Sequence, residues 1–156
     1  MAPDEIVRQI TARFPGVIPK ASWGEVSLFY NPGGVLPNGV YFCTIKDHDG
    51  DNDKASALNR DGVFRLAIGL APEDYRNLFG EKPARPAKGG TVNTGHDFTE
   101  LGVLMPHPVY AWMGWAQILC PTEEAFAGMI SLLEGAHRAA VVKFTSSLQK
   151  YLKASR

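Results

Sequence analysis

From Phe126 to Leu152 the apolar residues recur three and four apart without a break, through Met129, Leu133, Ala140, Phe144 and Leu148. That spacing lines one face of a helix. Thr122 supplies an N-cap and Glu123 and Glu124 place acids in the first turn, so the spacing predicts a helix over about 122–152. A single long apolar stripe needs a broad apolar surface beneath it, and a sheet is the expected partner. The last two turns are candidates to project past the domain and meet a second subunit, which would make a homodimer through the C-terminal helix.

The sheet is announced most clearly by Gly62–Leu70. Phe64, Leu66, Ile68 and Leu70 alternate with Arg65, Ala67 and Gly69, which puts four apolar side chains on a core face and leaves a small opposite face carrying one cation. Solvent or a closely approaching ligand could occupy that second face. Val26, Leu28 and Tyr30 alternate with Ser27 and Phe29 in another strand, ended by Asn31-Pro32-Gly33-Gly34, and a strand at about 39–47 pairs with it across a long loop. Asp4 is read as the cap of a helix over 4–14, in which Val7, Ile10 and Phe14 share a face and which Pro15-Gly16 stops. Residues 15–22 are read as a connector. Pro72 and Gly80 bracket a short helix over 72–79, with Tyr75, Leu78 and Phe79 turned inward. The segment of about 81–96, containing KPARPAKGG, has no apolar period and is expected to be an irregular, mobile loop.

Composition narrows the function classes. At 156 residues, with 45% hydrophobic and 21% charged side chains, the chain fits one folded domain. Sixteen bases balance sixteen acids, so no long-range field gathers a polyanion, and generic nucleic-acid binding is disfavoured. The exception is local: beyond Glu134 come Arg138, Lys143, Lys150, Lys153 and Arg156 with no acid among them. Cations suit a helix C-terminus, and they would equally suit phosphates. Cys43 and Cys120 are too few for a disulfide framework and are expected to be a buried reduced pair. No charged-then-apolar leader opens the chain and no apolar run nears bilayer length, so a cytoplasmic, non-membrane protein is expected.

Candidate chemistry concentrates in residues 96–120, which hold His96, His107, Trp112 and Trp115. Tyr110, Trp112 and Trp115 could form an aromatic wall suited to a planar ligand, or could fill a core. His96, Asp97, His107 and His48 include metal-ligand types, but their spacings match no compact metal motif. Asp47–Asp53 alternates acids as a calcium loop does, yet it lacks glycine at the sixth position and glutamate at the twelfth, so an acidic turn bonding its own backbone is expected. His137, on the apolar helix stripe, is expected to be a part-buried core residue with a satisfied hydrogen bond. Neither cysteine has a local activating motif, and no glycine pair opens a phosphate loop. No cofactor, metal or catalytic residue is assigned.

The order GVFRLAIGL, PEDYRNLFG, DFTELGVLMPHPVYAWMGWAQILCPTEEAF and the Ala136-His137 pair resembles the bacterial family catalogued as domain of unknown function 6194. The likeness runs through nearly the whole chain except the loop after Glu81. More distantly, in layout, the chain is similar to MmcQ/YjbR-like proteins. The resemblance implies an α+β domain with a curved antiparallel sheet and helices on one face, in the MmcQ/YjbR-like and frataxin-like (CyaY-like) arrangement. No activity comes with it.

The function expected is therefore a non-enzymatic small-ligand-binding or accessory domain. Its pocket would lie between the sheet and residues 96–115, with Arg65 as an anion contact, His96 and His107 giving polar orientation, and Trp112 and Trp115 giving apolar contact. The alternatives are nucleic-acid binding through Lys143, Lys150, Lys153 and Arg156, and an enzyme centred on His96, His107 or His137.

Overall fold

A computed structural model of the chain describes residues 1–155. In chain order it runs α1 (Pro3–Arg13), β1 (Val17–Ser22), β2 (Glu25–Tyr30), β3 (Val40–Lys46), β4 (Arg65–Gly69), α2 (Pro72–Phe79), β5 (Met105–Pro106), β6 (Trp115–Leu119), α3 (Glu123–Gly128) and α4 (Ile130–Ala154). The strands form one curved sheet in the order β1-β2-β3-β4-β6-β5, antiparallel at every pairing. The protein is thus α+β, with the helices gathered on one face.

The core is the layer between that face and the helices. Leu28, Ile45, Leu66, Ile68 and Ile118 from the sheet meet Ile6 and Ile10 of α1, Tyr75 of α2, Phe126 of α3 and Leu133 of α4. Phe64, Leu66, Ile68 and Leu70 are all buried there, as their alternation predicts. Burying side chains of this size stabilises the fold by about 1.5–3 kcal/mol each, so the sheet and α4 are held together by ordinary hydrophobic burial.

Several boundaries differ from the sequence reading. Residues 17–22 are strand β1, not a connector: they pair with β2 through a two-residue turn, Trp23-Gly24, with both residues at positive φ (54° and 73°). Asp4 does not cap α1; Ala2 holds that position, Pro3 opens the helix, and Asp4 and Glu5 lie in the first turn. The predicted 122–152 helix is interrupted near Met129, dividing it into α3 and α4 next to Gly128, where a glycine weakens helical backbone. Thr122 does cap it, its hydroxyl accepting from the Ala125 N–H at 3.0 Å. Leu78 of α2 is 44% exposed rather than turned inward. The 81–96 segment has no helix or strand, yet Val92 is buried in the core and Arg85 lies 4.6 Å over the Trp112 ring.

Beyond Phe144 the side chains of α4 are exposed except half-buried Leu148, and Tyr151 and Leu152 face solvent. No helix among the described residues is long and apolar enough to cross a membrane.

Candidate functional site

The sheet face away from the helices is not flat solvent-facing surface. The chain between β3 and β4 folds back over one end of it, where Leu58 and Val63 pack on Leu119 and the Ser56 hydroxyl donates to Gln117 Oε1 at 2.9 Å. What stays open is a cleft of about 460 Å³.

Strand register composes its floor, because cross-strand partners share a face. One row is Glu25, Lys46 and Arg65; the next is Ser27, Thr44 and Ala67; the third is Phe29, Tyr41, Gly69 and Trp115. The cleft is therefore charged at one end, small in the middle and aromatic at the other. A β-bulge between Leu28 and Phe29 inserts Phe42 as an extra residue of β3. It lets Tyr41 face the cleft while Phe42 and Cys43 both enter the core. Gly69 gives the indole of Trp115 its seat, since a Cβ there would stand 3.0 Å from Cζ2. Trp115 in turn lies 5.3 Å from the Tyr41 ring, and Tyr41 lies 5.8 Å from Phe29.

At the charged end Arg65 is only 3% exposed. Its Nη1 donates to Asp53 Oδ1 at 3.1 Å and its Nη2 to Oδ2, while Lys46 Nζ sits 3.4 Å from the same Oδ2. The bidentate fork is the geometry in which guanidinium and carboxylate bind most firmly. Burial works to raise the Asp53 pKa, but hydrogen bonds and charge from Arg65, with help from Lys46, outweigh it and hold the carboxyl at about 2. Asp53 is carried in by the β3–β4 connection, where Gly50 and Asp53 form a small antiparallel bridge. The Arg65 Nε is buried without a partner among the described residues.

His107, 2% exposed, lines the cleft beside this cluster. Its Nδ1 accepts the backbone N–H groups of Val109 and Tyr110, each at 3.1 Å. Two donors on Nδ1 fix the neutral tautomer with hydrogen on Nε2. Burial first, then the charge of Arg65, pushes its pKa well below the ordinary value, so the ring is uncharged at neutral pH. The flanking prolines do not aim the ring; the two backbone donors do. Tyr110 completes the wall, 5.1 Å from His107. Among the residues around Tyr41, burial and then the charges of Tyr110 and Glu25 raise its phenol pKa.

Of the five residues singled out by sequence, Arg65, His107 and Trp115 meet in the cleft. Trp112 does not: residues 111–113 form a 3-10 turn ending at Gly114 (φ 90°), which breaks strand parity and sends Trp112 onto Arg85. His96 does not either, its Nδ1 lying 2.9 Å from the Thr94 hydroxyl and its ring 6.3 Å from Phe79. The sequence reading missed Phe29, Tyr41, Lys46 and Asp53. Parity within β2 and β3 already placed Phe29 opposite Leu28, but which face held the ligand space was not readable.

The remaining candidates lie apart. His48 contacts Asp47 at 3.2 Å on the surface, and Asp49 Oδ1 accepts the Leu58 N–H at 2.7 Å, so the acidic turn ties down the later part of the β3–β4 connection rather than its own backbone. No group of three His, Cys, Asp or Glu side chains among the described residues could hold a metal ion. His137 is part-buried against the rings of Phe14, Tyr30 and Phe42, but its Nε2 has no partner, contrary to the expected satisfied bond. Cys43 is buried and Cys120 only half so; both are free thiols. Lys143, Lys150 and Lys153 are exposed along α4, and Arg156 lies outside the described residues.

Fold and site thus define an α+β protein whose helices cover one sheet face and whose other face carries an amphipathic cleft. The chain belongs to a family of unknown function, DUF6194, whose model matches residues 1–149. Neither the curated proteins nor the solved structures provide a match, so the remoter likeness to MmcQ/YjbR-like proteins has no counterpart there.

Proposed function

We propose that the protein is a cytoplasmic binding or accessory domain that holds a small organic molecule in this cleft without transforming it. The observation that carries the reading is one concavity of about 460 Å³ combining an aromatic wall, a floor of short side chains and buried polar groups. Pockets that bind small molecules combine apolar surface with fixed polar groups that set orientation; here the aromatic wall of Phe29, Tyr41, Tyr110 and Trp115 supplies the first and a larger set of polar and charged side chains the second.

The state of His107 favours binding over histidine-centred catalysis. A general base needs a free lone pair within reach of the proton it takes. The Nδ1 lone pair of His107 is engaged by two backbone N–H groups, and Nε2 carries hydrogen. The ring offers the cleft a fixed donor and no acceptor.

The test is a thermal-shift screen of metabolites against the wild-type chain and Ser27→Trp. Ser27 is half-buried and faces the cleft from β2, where an aromatic residue suits strand backbone and fills the space. Compounds that raise the wild-type melting temperature should lose their effect in Ser27→Trp. A screen without hits, or hits indifferent to the substitution, rejects the proposal.

A further inference from the structure

The two ends of the cleft differ in kind, and the difference specifies a ligand. This inference rests on the cleft being a binding site. On β2, Glu25 and Phe29 face it four residues apart, a span of about 13 Å at ~3.3 Å per residue. That length suits an elongated molecule of one ring and a short polar head. Between the ends Ser27, Thr44 and Ala67 leave the floor open.

The charges at the polar end are not equally available. Arg65 spends its fork on Asp53, so the pair is neutral as a unit. Lys46 gives one N–H to Asp53 and keeps two of its three donors. Glu25 is the direct cross-strand partner of Lys46, yet among the described residues no cation lies within salt-bridge distance of it. Asp51 lines the cleft as well, from the β3–β4 connection; on the floor itself the head presents an under-used ammonium next to an unpaired carboxylate, with side chains that begin about 5 Å apart across the strands. A simple anion would meet the repulsion of Glu25, and a simple cation that of Lys46. A group carrying both signs on adjacent atoms satisfies both.

We propose that the cleft takes a free amino acid with a planar aromatic side chain. Its carboxylate lies on Lys46, its ammonium on Glu25, and its ring against the Tyr41 and Trp115 pair. Asp53 is the positioning residue that holds Lys46, and Arg65 in turn fixes Asp53. His107 Nε2–H is a further donor in the cleft wall.

The test is calorimetric titration of the intact protein with two matched series. One is L-tryptophan, tryptamine and 3-indolepropionate; the other is L-phenylalanine, phenethylamine and 3-phenylpropionate. Within each series the ring is constant and one charge is removed at a time. The amino acid of at least one series should bind ten-fold or more tighter than both of its analogues. In Glu25→Gln, a conservative change at a half-buried position, its advantage over the analogue lacking the ammonium should vanish. Equal binding within both series, tighter binding of a singly charged analogue, no binding by any of the six, or an unchanged ranking in Glu25→Gln overturns the proposal. If compounds from the thermal-shift screen still depend on Ser27, the cleft remains a binding site and only the assignment of the ligand falls.

Discussion

Replacing Asp53 with Asn removes the charge that neutralises Arg65 while keeping the shape of the side chain. The structure supplies the magnitude. A carboxyl lowered from 3.8 in its ordinary state to about 2 in the fold contributes about 2 kcal/mol at neutral pH, at ~1.4 kcal/mol per pH unit. The sign follows from the direction. A depressed carboxyl pKa means the unfolded chain binds the proton more readily, so this stability is fully present above about pH 4 and is lost as pH falls toward 2. Asp53→Asn should therefore cost about 2–3 kcal/mol at pH 7, below the roughly 3–5 kcal/mol of breaking a fully enclosed ion pair because the amide keeps an oxygen that can accept from Arg65. With a urea dependence of about 1–3 kcal/mol per molar for a domain of this size, the unfolding midpoint should drop by roughly 0.7–3 M. Urea melts of wild type and variant at pH 7, 4, 3 and 2 measure both quantities. If the variant loses less than about 0.5 kcal/mol at pH 7, or weakens between pH 4 and 2 as much as wild type does, Asp53 does not hold the cleft as argued.

His107→Phe leaves the Val109 and Tyr110 N–H groups without their acceptor and should destabilise the fold by about 2–4 kcal/mol, whereas His107→Asn, whose side-chain oxygen can accept, should recover part of the loss in the same melts. Because burial depresses the His107 pKa, its contribution is present above about pH 6.5 and declines as pH falls below that; nitrogen chemical shifts should show a neutral ring with hydrogen on Nε2 at pH 6, and a charged ring there would contradict the geometry. Trp112→Ala removes the ring beneath Arg85, worth about 0.5–1 kcal/mol, and should speed tryptic cleavage after Lys88, the basic residue of the segment that no proline follows; unchanged cleavage would mean that Val92 alone secures the segment.

The fold was readable where one element has two chemically different sides. Phe64, Leu66, Ile68 and Leu70 against Arg65, Ala67 and Gly69 is such a case, and the long stripe of α4 is another. Strand β1 had no such contrast: it is an edge strand whose residues 19–22 are all exposed and it contains Pro19, so neither alternation nor β-propensity marks it. Its turn was hidden too, because Trp23 occupies a positive-φ position (54°) that asparagine or glycine usually signals. The candidate site was half readable. Arg65 follows from strand parity, whereas His107 and Trp115 were reached through the concentration of imidazoles and indoles in residues 96–120. Trp112 misled because a 3-10 turn does not keep period two. Asp53 and Lys46 could not be linked to Arg65 from spacing, since their meeting depends on where an irregular connection folds back.

The extra residue in β3 has a consequence for how this chain can vary. On the Lys46 side of Phe42 the strand obeys one odd-even rule, and on the Val40 side the opposite one. Deleting Phe42 would therefore restore regular alternation, leaving Tyr41 on the cleft and Val40 on the helix side and removing only one core ring, whereas deleting Cys43 or Thr44 would turn one half of the strand over against the other. The bulge is consequently the place where this strand can shorten by one residue and keep the same side chains facing the cleft.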